Sequence, residues 1–191
     1  QMCIRDRMLA HLTACLIRDL KNGFPQIDFS YAKSLVSVMR EVFAQTGRSF
    51  IILIDEWDCL FREYESNKEA QKQYLDFLRV WLKDKEYVGL AYMTGILPIK
   101  KYGSHSALNM FTEYSMTNPR EMAGYFGFTE DEVNMLCETY QRSFDETQAW
   151  YDGYDLVMFY GTVQKTYAMY SPKSVVEAML SGVYAVSYTH L

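Results

Sequence analysis

Apolar residues recur at helical spacing over residues 8–21, MLAHLTACLIRDLK, until Gly23 and Pro25 break the pattern. Ser30 is placed to cap a second helix over about 31–46, with Gly47 where a terminating glycine belongs. Its apolar positions Leu35, Val38, Met39, Val42 and Phe43 share one face. The next run, Phe50-Ile51-Ile52-Leu53-Ile54, is continuous and β-branched, which predicts a strand buried on both faces, as in a parallel sheet. Residues 68–84 return to helical spacing, with Tyr74, Leu75, Leu78, Trp81 and Leu82 inward. Tyr87 to Met93 is another apolar strand, ending at Thr94-Gly95. Strand, helix and strand in this order predict a right-handed, parallel βαβ unit.

A long loop, Ile96 to Met110, follows and carries Gly103, Ser104, His105 and Ser106. Long loops after a parallel strand tend to be functional. Glu113 to Thr117 reads as a third strand. Beyond it the pattern turns helical and short. Asn118-Pro119 suits a helix start. Thr129 with Glu132 and Ser143 with Glu146 have capping-box spacing, and Ser171-Pro172 opens a last helix reaching about Leu180. The expected organisation is a core over 8–117 and a small helical subdomain over 118–185.

Composition changes this picture little. The chain of 191 residues is 49% hydrophobic and 23% charged, which is globular and not disordered. A net charge of −5 gives no general attraction to nucleic acid and leaves a specific target open. No apolar run approaches the roughly 18–20 residues that span a bilayer, and the N-terminal residues have no apolar signal core. Cys3, Cys15, Cys59 and Cys137 form no CxxC pair and have no histidine at zinc-ligand spacing, so reduced thiols in a cytoplasmic protein are expected. The ends, with MCIRDR inside residues 1–7 and VSYTHL at 186–191, resemble translated adapter read-through and are set aside as non-native.

The chemistry concentrates after the first strand. Ile51-Ile52-Leu53-Ile54 is followed by Asp55-Glu56, and open α/β sheets bind ligands beyond the carboxyl ends of their strands. An aspartate there can hold a Mg²⁺ shell that bridges nucleotide phosphates. An adjacent glutamate suits the orientation and deprotonation of an attacking water. Thr94, at the end of the neighbouring strand, would add a hydroxyl that holds the water or senses the γ-phosphate. Asp58 suits helix capping or loop duty as readily as catalysis, and Trp57 suits packing. Lys100 and Lys101 could reach phosphate, and Arg120 or Arg142 could serve as an arginine finger, with nothing in the spacing to select either. The phosphate-binding string GxxxxGK[ST] does not occur in these residues. Gly47-Arg48-Ser49 precedes a strand and lacks the lysine. A metal-dependent nuclease using Asp55 and Glu56 would need an ExK-type lysine beside them, and none is present.

With these residues identified, the chain resembles the AAA-ATPase-like family of bacterial proteins, many of which carry a PD-(D/E)XK nuclease-like domain at the C-terminus. IILIDEWDCLFREY (51–64) resembles the family's Walker B segment. Residues 69–119 are similar throughout, including TGILPIKKYG and SALNMF, and WYDGY (150–154) and YSPKSVVEAML (170–180) resemble its lid signatures. The resemblance implies a partial P-loop NTPase sheet with a helical lid, and ATP and Mg²⁺ as cofactors of the intact protein. It implies Asp55 at the metal shell, with Glu56 and Thr94 catalytic. It also implies that this segment is an internal fragment, inactive alone, whose phosphate-loop strand belongs between the strand at 88–94 and one near 113–117. The exposed sheet edge would make it poorly soluble or partly molten. Residues 155–169 depart from the family pattern, and Ser171 stands where asparagine is usual. The alternative is a non-catalytic scaffold whose helical subdomain contacts a protein partner.

Overall fold

The fold begins with two helices, the second of which starts at a cap made by short polar side chains. A computed structural model describes residues 4–98, 109–151, 153–160 and 162–184. The chain divides into two units, residues 1–113 and 114–191. In the first, helix α1 runs Ile4–Gly23 and helix α2 runs Leu35–Thr46. Ser30 does not cap α2. Its N–H and hydroxyl both go to Asp28 Oδ1, a local turn that competes with helix. The helix starts a turn later, at a reciprocal box: Ser34 Oγ accepts from the Ser37 N–H at 3.2 Å, and Ser37 Oγ accepts from the Ser34 N–H at 2.9 Å. Gly47 ends it as expected, at φ 65°, with its N–H on Phe43 O at 2.8 Å.

Strand β1 (Phe50–Ile54) leads through the short helix α3 (Cys59–Glu63) into α4 (Lys68–Leu82) and then strand β2 (Val88–Met93). The two strands pair in parallel, as the apolar runs predict, with Ile52 opposite Ala91 and Ile54 opposite Met93. These four residues join one core with Leu35 and Met39 of α2 and with Tyr74, Leu75, Leu78, Trp81 and Leu82 of α4. Its polar atoms find partners inside. The Tyr87 hydroxyl donates to Trp81 O at 2.6 Å, and Trp81 Nε1 lies 3.0 Å from Met39 Sδ. Burial pushes the Tyr87 hydroxyl up to about 12.

The strands are not buried on both faces. Ile51 and Leu53 are 70% and 72% exposed, and their partners Leu90 and Tyr92 are 52% and 47% exposed. The described helices cover one side of the pair. The apolar character of the other side is the reason the alternation expected of a half-buried strand does not show in the sequence.

The second unit corrects two expectations. Residues 113–117 form no strand. Ser115 and Asn118 exchange backbone hydrogen bonds at 3.0 and 3.2 Å, which closes a tight turn instead. Nor is 118–185 purely helical. Strands β3 (Phe128–Thr129), β4 (Tyr154–Tyr160) and β5 (Val163–Tyr170) form an antiparallel sheet with β5 central. The β4–β5 hairpin runs from Tyr154 paired with Met169 to Tyr160 paired with Val163. Helices α5 (Glu130–Tyr140), α6 (Phe144–Tyr151) and α7 (Pro172–Ser181) accompany the sheet. The Thr129–Glu132 capping box forms on α5, and α7 starts at the expected Ser171-Pro172. Val133, Cys137, Tyr170, Val175, Ala178 and Met179 make the core of this unit. No helix among the described residues is long and apolar enough to cross a membrane.

An exposed apolar sheet face is an association hazard. The chain is expected to self-associate and to bind a hydrophobic dye. The double variant Ile51→Thr, Leu53→Thr should reduce both while shifting unfolding free energy by less than about 1 kcal/mol, since neither side chain is buried. Light scattering and chemical denaturation of the two proteins check this. Unchanged association would move the sticky surface elsewhere.

Candidate active site at the strand tips

Parallel pairing puts the residues that follow β1 and β2 beside each other. Asp55 follows Ile54 and Thr94 follows Met93, and those last strand residues are register partners. The ladder continues one step past them: the Thr94 N–H donates to Ile54 O at 2.9 Å, and the Trp57 N–H donates to Thr94 O at 2.9 Å. The side chains add a second layer. The Thr94 hydroxyl donates to Asp55 Oδ1 in a close contact. The Glu56 N–H donates to the same oxygen at 3.0 Å and lies 3.4 Å from Thr94 Oγ1. Both described bonds of Asp55 therefore use Oδ1, and its other oxygen has no protein partner among the described residues. All three residues assigned to chemistry, Asp55, Glu56 and Thr94, are exposed and brought together at one end of the parallel pair.

Glu56 occupies the left-handed region, at φ 49°. That conformation costs a residue with a Cβ roughly 1–2 kcal/mol. It reverses the chain so that Trp57 can return to Thr94 O. Trp57 then packs, as its type suggests: it is buried, 5.3 Å from the Phe61 ring centroid. Gly95 must be glycine for this packing, because a Cβ there would stand 2.6 Å from Trp57 Cδ1 and 2.8 Å from Asp58 Oδ1.

Asp58 resolves the choice between capping and loop duty. It precedes α3 but makes no side-chain cap bond. Its carboxylate is fully buried, and Oδ2 accepts from the backbone N–H groups of Ile96 at 3.1 Å and Leu97 at 2.9 Å. The residue thus staples the segment after β2 beneath the turn after β1. Arg62, one helical turn on, places Nε 3.2 Å from Asp58 Oδ2, an ion-pair contact too bent to count as a hydrogen bond. Asp58 Oδ1 has no hydrogen-bond partner among the described residues. The other arm of Arg62 donates to Glu56 Oε2 at 3.0 Å, and this bond is the main reason the guanidinium is held above its ordinary pKa. The staple was missed from sequence. Its signal is an acidic residue inside the otherwise apolar WDCLF, with an arginine at i+4 to neutralise it.

Other candidates fare differently. Lys100 and Lys101 lie outside the described residues. Arg142 donates from Nε and a terminal nitrogen to Met179 O, both at 3.3 Å, and so serves the C-terminal end of α7. Arg120, at φ 48°, lines a cleft of about 330 Å³ with Asn118, Pro119, Asp155 and Leu156. No group of three or more metal-ligating side chains exists among the described residues. The strand tips therefore do not form an all-protein metal cage. A single carboxylate does fit Mg²⁺ of the kind that keeps its waters and takes its remaining ligands from phosphate.

A parallel strand pair with an acidic tip defines a mixed α/β protein with a polar site at the carboxyl ends of its strands. The family follows from the sequence match: residues 6–104 match the family described as "Predicted AAA-ATPase", and the chain belongs to it. It is also similar to a protein of Azotobacter chroococcum mcd 1 named "Uncharacterized protein in vnfD 5'region", at 27% identity over 124 residues. That alignment covers 62% of this chain and 24% of the relative, so the chain spans about a quarter of that protein's length. No solved structure matches.

Two substitutions test the energetics of the turn. Glu56→Gly relieves the left-handed strain and should raise unfolding free energy by a few tenths to about 1 kcal/mol. Asp58→Ala removes the buried acceptor of the Ile96 and Leu97 N–H groups and one of the two carboxylates beside Arg62, and should cost about 1–3 kcal/mol. Urea denaturation of this chain measures both. A destabilised Glu56→Gly, or a neutral Asp58→Ala, would contradict the geometry.

Proposed function

We propose that the strand tips are the magnesium- and water-handling half of an ATPase site in the full-length protein. The observation that carries this reading is the joining of Asp55, Glu56 and Thr94 at the carboxyl ends of two parallel strands, with Glu56 held in a strained conformation. Family membership supports ATP as the nucleotide. The reading extends to a P-loop core over 8–117, a lid over 118–185 and a cytoplasmic setting, with the phosphate-binding loop supplied by sequence upstream of this segment.

Each residue has a derivable task. Asp55 would hold the Mg²⁺ shell through the oxygen that its described bonds leave available. When bound, the ion neutralises phosphate charge. Thr94 spends its proton on Asp55, so its oxygen is left to accept a hydrogen bond and can orient a water. Glu56, a carboxylate one residue from the metal ligand, would accept that water's proton.

In the full-length protein, Glu56→Gln should bind Mg-ATP with little change and lose turnover by about 10²–10⁴-fold. Thr94→Ala should lose about tenfold or more, through an ill-placed water. Steady-state hydrolysis and nucleotide-binding measurements decide it. Undiminished turnover by Glu56→Gln removes Glu56 from the mechanism. A wild-type protein that binds no Mg-ATP would instead favour a non-catalytic scaffold that contacts a protein partner.

A further inference from the structure

One strand edge in the second unit is open and carries none of the usual guards. Strand β4 lies at the edge of its sheet, with β5 on one side only. In an antiparallel pair, alternate residues turn their N–H and C=O groups to the partner strand and the intervening residues turn theirs away. Among the described residues, no backbone hydrogen bond takes up the groups on the far side of β4. Edge strands are ordinarily blunted by lysine, proline, a bulge or shortness. β4 is seven residues long, contains no lysine or proline, and keeps a continuous register from Tyr154 opposite Met169 to Tyr160 opposite Val163. Beside Asp155, Leu156 and Val157 lies the cleft of about 330 Å³ whose other wall is 116–120, so there is room for a short stretch of backbone along the strand. We propose that the edge of β4 is a docking surface for a second copy of this chain: two β4 strands pair antiparallel about a two-fold axis at Val157 and join two three-stranded sheets into one of six strands.

The sequence of the strand selects the copy as occupant. Residues directly opposite in an antiparallel pair point to the same face, so a strand pairs with its own copy only in registers that set one residue opposite itself. Val157 is the centre of β4, and pairing there engages the whole strand. Leu156 of one copy then stands opposite Met158 of the other. Asp155, the single charge of the strand, stands opposite position 159 and not opposite its own copy. A pairing centred on Asp155 would set two carboxylates face to face, which is unfavourable. Charge and length therefore favour the same register. Packing favours it as well. Leu156 and Met158 belong to a small cluster with Ala123 and Met169, and the pairing runs two such clusters together across the axis, which removes more apolar surface from water than either copy can alone. The cleft is used reciprocally: positions 157–159 of each copy run beside 155–157 of the other. Such an interface is isologous and closes on itself, so association through it stops at a dimer. A single strand edge is a small contact, so the dimer is reversible.

The test uses this chain with Ile51→Thr and Leu53→Thr in place, so that the apolar sheet face of the first unit does not contribute. Sedimentation velocity over about 1–100 μM should show a monomer–dimer equilibrium. Because residue 157 meets its own copy, Val157→Lys and Val157→Glu should each weaken the dimer at least about tenfold through like-charge contact. An equimolar mixture of the two variants should dimerise again, since opposite charges then meet across the axis. Neither a loss of folding nor a contact elsewhere produces rescue by mixing. Val157→Cys is a second route that does not require a charge to be tolerated on the strand. The Cβ atoms of directly opposite residues stand about 4.5–5.5 Å apart, so oxidised glutathione should link two chains through residue 157, as peptide mapping reads. A chain that stays monomeric and forms no link between the two 157 positions overturns the copy as occupant and assigns the edge to an extended segment of another protein. A dimer that neither charged variant weakens, or that the mixture fails to restore while both variants keep their circular dichroism, overturns the pairing through Val157.

Discussion

Parallel pairing of β1 with β2 is the constraint from which the site follows. In a parallel pair both chains leave the sheet at the same end. Residues 40 or so apart in sequence are then forced into contact with no contribution from their own chemistry. The backbone bonds of Thr94 to Ile54 and of Trp57 to Thr94 carry the ladder past the strands and into the loops. The side-chain bonds among Asp55, Glu56 and Thr94 come after this and depend on it. A slip of one residue in register would turn Ile52 and Ile54 out of the core and bring the exposed Ile51 and Leu53 in. The packing of Ile52 and Ile54 in one core with residues of α2 and α4 therefore fixes the geometry of the strand tips from below.

Charge burial does the same from the side. Asp58 sits in the core side of the turn because the segment after β2 has backbone N–H groups that face inward and need an acceptor. A buried carboxylate is tolerated only with such partners and a counter-ion, and Arg62 supplies the latter. Arg62 thereby arrives next to Glu56 for a structural reason. The ion pair with Glu56 is a consequence of the staple, and a scaffold built differently would have left Glu56 without it.

The parts of this architecture that were legible in the sequence are those governed by local periodicity. Leu75, Leu78, Trp81 and Leu82 mark one face of a helix, and the apolar runs at 50–54 and 88–93 mark two parallel strands, because a single physical cause sets each pattern. Asp55, Glu56 and Thr94 could be named together for the same reason: strand ends are readable, and parallel strands end together. Three things were hidden. Ser30 was misread as a cap because its competition with Asp28 depends on turn geometry. The β4–β5 hairpin was missed although Tyr, Val, Phe and Thr flank Gly161-Thr162, since nearby capping signatures favoured helix throughout. The Asp58 staple was hidden because its partners, Ile96 and Leu97, are recognised by backbone position and not by side chain.

The turn at 55–62 concentrates two local costs. Asp84, Arg120 and Gln141 also take positive φ, so what sets this turn apart is the combination with a buried carboxylate. Here a glutamate takes a left-handed conformation that glycine or asparagine would adopt more easily, and a carboxylate lies buried with one oxygen unpaired among the described residues. Two local costs in eight residues are more than a connecting turn requires, because a glycine at 56 would close the same turn without strain. The fold can carry them because the core on either side over-determines the path of the chain. Such conflicts between local preference and global structure concentrate where a side chain is needed for something other than stability. Both costs lie beside Asp55 and Thr94, so the proposed base sits where the turn is least favourable to the chain.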